Sequence, residues 1–543
     1  MLEQLTEEEK QLLAPYVTNL DGSVFMLTNL PEVVKGALFS RYSRSSLGLR
    51  RLLLKEFLQD PESEMTAISG GGGVERAETA QKGVERAQNF YDRILDGYGD
   101  DSIGELGGGH LALEDVSMIA TKILEDARIG GSPLEKSTRY VSFGEKHNGD
   151  YLFYKEPRLM ASDHRERYLA HCRELFDTYR DMVPPMVESL QGRVPREEAI
   201  SEAAYQRAVK ARAFDALRGL LPASTLTNMG IFGNGRFFES LLVRLRLSGL
   251  AETEALGETM FQELSKVIPS FVRRGEKSHR HLAGFAGFDQ ARRALLGEIG
   301  QTAPGADYPP PDGPRVNLVD WDPDGETKVL AALLYPDSAL DLTALRQWAK
   351  GVDDAQKDRW FSQMGDMRAN RRHKPGRETE TVRYTFDLLG DFGMYRDLQR
   401  HRTLTQWRQP LSTRWGYAMA DEVAEAGLDG RYREVMAKSA EVYEAIRADF
   451  PLEAQYGVPM AYRIRWSVQI NLRALIWLVE LRSQPQGHPA YRWIAQQMAQ
   501  KVAQVHPRLG GLMRFVDMGA YPLGRLGQEQ KLEEKRQNKP EKK

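Results

Sequence analysis

"LPASTLTNMGIFGNGRFFESLL", residues 221–242, and "VPMAYRIRWSVQINLRALIWLV", residues 458–479, share one pattern. Pro222 stands before Asn234 and Arg236 as Pro459 stands before Asn471 and Arg473, with a Pro-to-Asn spacing of twelve in both. A second pair agrees in the same order. "EKSTRYVSF" carries Ser137-x-Arg139-Tyr140, and "PLSTRWGY" carries Ser412-x-Arg414-Trp415. Chance explains one such match easily; two in order point to an internal duplication, each copy about half of the chain.

The junction is "TAPGADYPPPDGPRV", residues 302–316, where prolines and glycines crowd and a periodic pattern stops and restarts. The division expected is a first copy over 1–300, a linker over 301–315, a second copy over 316–525 and a charged tail over 526–543. The tail, "KLEEKRQNKPEKK", reads as a solvated charge run, disordered at its end. "ISGGGGVERAETAQKG" lacks the Gly-Lys-Ser/Thr of a phosphate loop and reads as a surface loop.

Each half reads as a strand-rich start followed by long helices. "RVNLVDWDPDGETKVLAALLY" predicts strand, turn and helix, "VRYTFDLL" alternates like a strand, and "GMYRDLQRHR" predicts a helix with cations near its C-terminal end. "WSVQINLRALIWLVELRSQ", residues 466–484, is apolar nearly all round and predicts one largely buried helix. On such a helix Asn471 and Arg482 share a face, and Glu480 is a candidate partner for Arg473. The fold class expected is α+β, rich in helix.

The 543 residues are 41% hydrophobic and 28% charged, with a net charge of −2. That balance suits a globular protein and is less basic than a dedicated nucleic-acid binder, so no nucleic-acid partner is expected. No apolar run is long enough to span a bilayer, and the start carries no signal-peptide pattern. The lone cysteine, Cys172, lies in an amphipathic helical stretch and reads as a small core filler, in keeping with a reducing cytoplasm.

The chemistry concentrates in the second half. "LQRHRTLTQWRQPLSTRWGY", residues 398–417, holds Arg400, His401, Arg402, Arg408 and Arg414. Solvated cations at a helix end are the bland reading. The density of guanidiniums, interleaved with Trp407 and Trp415, favours a phosphate-bearing ligand, because the planar fork matches phosphate oxygens. "RRHKPGRETE", residues 371–380, adds cations before Glu380; by default it is a solvated loop. No metal-ligand spacing or nucleophile elbow is present.

Arg-His-Arg, then Ser-x-Arg-aromatic, then Asn-x-Arg with a Leu-Arg later on, resembles the flavin-dependent thymidylate synthases, in two diverged tandem copies. The gap between Arg402 and Ser412 is two residues longer than in that family, and Trp477 stands where the family has Asn. The copies have degenerated differently. At the Arg-His-Arg position the first reads Glu125-Asp126-Ala127, and Leu245 replaces the later arginine. That copy keeps Glu135-x-Ser137-x-Arg139-Tyr140 and Ser102-x-x-Glu105. The second keeps its arginines but has Pro410 at the Glu position and Arg377-x-x-Glu380 for the flavin loop.

The resemblance implies methylation of dUMP to dTMP with FAD as cofactor, and methylenetetrahydrofolate and NADPH as co-substrates. It implies FAD held by Arg400, His401, Arg402, Asn471, Arg473, Glu380, Ser102 and Glu105. It assigns Arg482 to polarising the pyrimidine, as the catalytic residue. Ser412 and Arg414, or Glu135, Ser137 and Arg139 from the other copy, are assigned to the nucleotide. Family sites form between subunits, which implies a homodimer of tandem chains arranged as a pseudo-tetramer. A diverged flavin or nucleotide enzyme, and a non-catalytic scaffold or regulator, stand as alternatives.

Overall fold

A computed structural model describes residues 5–43, 45–59, 104–139, 141–303, 309 and 311–537. Ser102, Tyr140, the "ISGGGGVERAETAQKG" stretch and most of the Pro-rich junction lie outside the described residues. The class is α+β. In chain order the elements that matter are β1 (Gly108–Ser117), α1 (Met118–Glu125), β2 (Gly131–Glu135), α2 (Arg165–Arg193), α3 (Glu202–Leu217), β3 (Leu226–Asn234) and α4 (Gly235–Arg246). There follow β4 (Arg315–Trp321), α5 (Gly325–Leu334), β5 (Arg383–Asp391), α6 (Phe392–Leu398), β6 (Leu404–Arg408), α7 (Asp429–Arg447), β7 (Arg463–Asn471), α8 (Leu472–Arg482), α9 (Pro489–Val505) and α10 (Leu526–Gln537).

The duplication is visible as architecture. β1-α1-β2 and β3-α4 correspond to β5-α6-β6 and β7-α8. The two sheets share a strand order: β1-β3-β2 in the first, and β5-β7-β6 in the second, where β4 adds an edge. In the second sheet β7 pairs antiparallel with β5 from Arg383↔Asn471 to Asp391↔Arg463, and with β6 from Leu404↔Ile470 to Arg408↔Trp466.

The chain divides into two compact units that do not follow the two halves. Unit 1 comprises Met1–Glu114, Ile123–Glu135 and Asn228–Ala306; unit 2 comprises Asp115–Lys122, Lys136–Thr227 and Asp307–Lys543. Unit 1 holds most of the three-stranded sheet and a core of Phe237, Phe238, Leu241, Leu242 and Leu245 from α4 with Met260 and Leu264. In unit 2 the core runs from Tyr384, Phe386 and Leu388 through Trp466 and Val468 to Leu475, Ile476 and Val479, and on to Ile494 and Met498.

The stretch 466–484 is not one helix. Ile464, Trp466, Val468 and Ile470 are buried in strict alternation with half-buried neighbours, which is the signature of a strand with one face on the core. The helix starts only at Leu472, capped by Asn471, whose side chain accepts a hydrogen bond from Ala474 N at 2.9 Å. Asn234 does the same for Phe237 N at 2.9 Å. Both asparagines thus satisfy an N-terminal donor that would otherwise be orphaned, worth about 1 kcal/mol. Asn471 and Arg482 therefore do not share a helix face.

Three other expectations need correction. α6 ends at Leu398, so Arg400, His401 and Arg402 follow the helix instead of closing it. Glu480 does not serve Arg473; it makes a buried bidentate pair with Arg368 at 2.7 and 2.6 Å. The charged run is not wholly solvated: in α10 Glu529 and Glu533 accept from Arg207 of α3 at 2.7 and 2.8 Å, while its end, 538–543, lies outside the described residues. Cys172 is fully buried, and burial pushes its thiol up to about 12, so it packs as an inert core residue.

Within unit 2 the two copies meet about a local two-fold. Ala223 N donates to Val458 O and Met460 N to Leu221 O, at 2.8 and 2.9 Å. Ser224 N donates to Tyr456 O and Ala461 N to Gly219 O, at 3.0 and 2.8 Å. Each bond has its mirror between corresponding residues, and Pro222 bridges Pro459 at the centre. This is the self-complementary pattern of a two-fold dimer contact, made here inside one chain.

Candidate functional site

Residues from both copies converge inside unit 2. From the second copy, Arg482 at the end of α8 donates from Nε to His401 Nε2 at 2.9 Å, and its Nη1 lies 3.9 Å from Asp397. Asp397, on α6, also binds Arg400 and lies 3.5 Å from Arg218 of the first copy. From the first copy, Arg139 grips Asp215 of α3 with both prongs, at 2.7 and 2.8 Å. Arg139 Nη1 also donates to the Tyr491 hydroxyl at 3.0 Å. The Arg139 and Arg482 guanidinium carbons each lie 5.6 Å from the Tyr491 ring centroid, so one ring contacts the arginines of both copies. Arg525 closes the far side, donating to Arg139 O at 3.0 Å and reaching Asp215 at 3.4 Å.

This cluster is dry and cationic. Arg139, Asp215, Asp397 and His401 are all buried. Among the described residues, ion pairs join Arg139 and Arg525 to Asp215, and Arg218, Arg400 and Arg482 to Asp397. Buried charge needs compensation, and a cluster of guanidiniums in so buried a place suits an anion. Burial opposes ionisation of Asp215 and Asp397, but the neighbouring arginines outweigh it and hold both well below the usual carboxylate range. Burial likewise penalises Arg139, yet Asp215 holds it above the arginine range. Burial, with Arg482 and Arg400 nearby, pulls His401 far below 6.5. It is therefore neutral, and since its Nε2 accepts from Arg482, its proton sits on Nδ1.

A second constellation lies along α8. Arg473 donates to Glu380 at 2.7 Å and to Pro375 O at 2.9 Å. Lys374 lies 4.2 Å from the Trp477 ring centroid and Arg371 5.9 Å, so the "RRHKPGR" segment covers Trp477 and is not simply a solvated loop. Unit 1 repeats the pair: Arg236 binds Glu105 at 2.9 Å. Corresponding arginines and glutamates thus remain joined in both copies, although in unit 1 both partners are exposed.

Of the sequence-expected residues, Arg139, Arg400, His401 and Arg482 come together. Ser137 adjoins them in sequence, its Oγ accepting from Arg139 N at 3.2 Å. Arg402 is exposed beside the cluster in sequence. Arg473, in the first turn of α8, pairs with Glu380, and Asn471 caps the same helix. Glu105 and Glu135 fall in unit 1. Arg414 is exposed, its guanidinium 5.0 Å from the Trp415 ring, and Ser412 stays with it on that loop. Asp215, Asp397, Arg218, Tyr491 and Arg525 were not found from sequence, because their partners lie far along the chain and no local spacing announces them.

Among the described residues no group of His, Cys, Asp and Glu could hold a metal ion, and no helix is long and apolar enough to cross a membrane. A UPF0159 protein of Chlamydia muridarum is 47% identical over 524 residues, covering 96% of this chain and 98% of the relative. One of Chlamydia pneumoniae is 48% identical over 533 residues, covering 98% of each. A UMP/dUMP methylase structure from Streptomyces cacaoi, bound with 5-Br dUMP, aligns with 16% identity and a TM-score of 0.30, over 38% of this chain and 98% of that one. The family model described as thymidylate synthase complementing protein matches twice, over residues 58–270 and 317–508. With two matches that together span most of the chain, and the same strand order and Asn-capped helix in each half, the protein belongs to the thymidylate synthase complementing protein family and carries its domain in tandem.

Proposed function

We propose that the chain methylates dUMP to dTMP with methylenetetrahydrofolate as one-carbon donor, at one site per chain built from both copies. The observation that carries this reading is the meeting of Arg139 and Arg482 on Tyr491, within a buried, arginine-rich cluster. A nucleotide phosphate suits such a cluster, because forked guanidiniums match its oxygens.

Arg482 is the residue that polarises the pyrimidine. Its Nε is committed to His401, which fixes the plane of the guanidinium, while Tyr491 flanks it. A fixed cation in a dry site stabilises charge that develops on a uracil oxygen without reorganisation. His401, being neutral, adds no competing charge and serves to orient Arg482.

The donor set along Arg400, Arg402, Asn471 and Arg473 fits an FAD pyrophosphate: three guanidiniums, and an Asn amide whose oxygen is spent on the helix cap while its NH2 remains. A bound reduced flavin supplies the reducing equivalents for the methyl group, with NADPH as their source. Two chains associating as a homodimer, in the cytoplasm, complete the proposal.

A second reading has its own support. Arg139 is already saturated by Asp215, and Asp397 sits among Arg400, Arg218 and Arg482. A site closed by its own carboxylates suits a non-catalytic homologue. The test is dTMP formation from dUMP by the full chain with FAD, NADPH and methylenetetrahydrofolate, alongside dUMP binding by calorimetry. Turnover with one dUMP per chain supports the enzyme; absence of both dUMP binding and turnover overturns it in favour of the second reading.

A further inference from the structure

We propose that the helix Arg280–Thr302 of unit 1 is the surface on which a second copy of this chain docks. Along it Phe285, Phe288, Arg292, Leu295 and Ile299 follow one another at intervals of three, four, three and four residues. That spacing lays them along one face, with Leu296 beside them. The apolar members of the stripe are all exposed, Phe285 by 51% and Phe288 by 68%. Of the 23 residues of the helix only Leu282 is buried.

Such a helix is poorly equipped to stand alone. Gly284, Gly287, Gly297 and Gly300 each weaken it, and a Cβ at any of them would meet nothing within 4 Å, so no close approach calls for glycine there. Leu282 and the 2.7 Å bond from Arg293 Nη2 to Leu247 O tie the helix to the rest of unit 1, on a side turned away from the stripe. Helices in proteins draw most of their stability from packing an apolar face, and here that face has no cover among the described residues.

The stripe is complementary to itself. Set antiparallel to its copy about a two-fold near Gln290, it brings Phe285 against Leu295 and Leu296 of the second copy, and Ile299 beside Leu282. The same register sets Arg292 of each copy beside Asp289 of the other. Arg292 makes no ion pair among the described residues, whereas Arg293 is held by Asp289 at 2.6 Å. A parallel pairing would instead stack Arg292 on Arg292 in the seam, which like charge disfavours. The five apolar side chains expose on the order of 500 Å². A two-fold pair therefore buries on the order of 1,000 Å² before flanking residues are counted, the threshold of a specific interface.

Sedimentation equilibrium of the full chain at micromolar concentration, without nucleotide or flavin, tests it. The expected result is a dimer for the natural chain and a monomer for Phe288→Asp. Arg292→Glu should weaken the dimer at least tenfold, and Asp289→Arg combined with Arg292→Glu should restore it, a rescue that damage to the fold cannot give. The charge reversals carry the test if Phe288→Asp fails to fold. A monomeric natural chain, a dimer undiminished in Phe288→Asp or Arg292→Glu, or no recovery in the double reversal overturns the proposal. The surface rests on the homodimer proposed above, but not on its chemistry. A monomer would remove the surface and leave dUMP binding to its own titration, and failed dUMP binding would leave the surface standing.

Discussion

Leu245 and Arg482 occupy corresponding places at the ends of two corresponding helices. Both helices follow a strand, both are capped by an asparagine, and both carry an arginine that binds a glutamate. In α4 the last turn places Leu245 fully buried in the core of unit 1. In α8 the last turn turns a guanidinium toward His401, Asp397 and Tyr491. The scaffold is conserved between the halves while the chemistry at its tip is not. A strand, a cap and a helix are enough to hold the position; what fills it decides whether the position closes a core or faces a ligand.

The largest effect expected from this asymmetry is on stability. Arg139→Ala removes both close donors to buried Asp215 and leaves it the more distant Arg525 among the described residues, and should cost about 3–5 kcal/mol. Arg414→Ala, at the exposed corresponding place, should stay within about 0.5 kcal/mol. Urea denaturation of the two variants checks this; equal losses would mean that the copies are more alike than their burial shows.

The next is on turnover. Arg482→Ala should lower dTMP formation by about 10²–10³-fold, the loss seen when a preorganised charge is removed. Arg482→Lys should recover little, because a point charge cannot make the planar fork. A melt near wild type for Arg482→Ala separates this from a structural role; a far lower melt with normal dUMP binding would make the arginine structural.

Flavin retention should divide the copies again. Arg473→Ala should weaken FAD binding by about 1.5–3 kcal/mol, the worth of a charge-assisted hydrogen bond, whereas Arg236→Ala should leave it unchanged. Equilibrium dialysis of FAD against both variants decides it, and equal weakening would assign flavin to both halves.

Acid sensitivity should come from buried histidines in both copies, and the second copy's share can be removed separately. Burial holds His401 and His488 below the usual histidine range, so the unfolded chain takes up their protons first. Their contribution is complete above about pH 6.5 and falls below it, by up to about 1.4 kcal/mol per pH unit for each. The depressed Asp215 and Asp397 keep their contribution until the pH drops below about 3.9, and lose it further down. Unfolding measured at pH 7.5 and 5.5 should show the histidine slope, and His401→Gln should reduce it. In the first copy Asp126 stands where His401 does, and the corresponding slope comes instead from His171, which burial lowers to about 4.

The smallest effect should be symmetric. Asn234→Ala and Asn471→Ala each remove a cap and should cost about 1 kcal/mol alike. A much larger loss at Asn471, matched by loss of FAD, would show the amide serving a ligand beyond the cap.

The sequence made the duplication legible because Pro, Asn and Arg recur at fixed spacing, and it made β5 legible because "VRYTFDLL" alternates. It misled at 466–471, where a strand buried on one face runs into a buried helix and the combined apolar run mimics a single helix. Of the site's arginines, Arg400 was legible in a density of charge and Arg139 and Arg482 through motifs, whereas Arg218 and Arg525 were not legible. Nor were the carboxylates: Asp215 reaches Arg139 across 76 positions and Glu480 reaches Arg368 across 112, separations at which no pattern survives. Tyr491 was hidden for the same reason, being one tyrosine among the 21 in the chain.

The ribbon at Pro222 and Pro459 has a consequence for how such a chain can change over generations. When two separate but identical subunits meet about a two-fold, every substitution appears on both sides at once. Here the two sides are encoded separately and joined by one backbone, so neither has to find its partner by diffusion, and each always meets the other version. A residue lost from one half is harmless wherever the opposite half supplies it. The covalent tie thereby turns a symmetric pair into two specialists, one free to surrender its Arg-His-Arg and the other free to leave its Ser-x-Arg on an exposed loop.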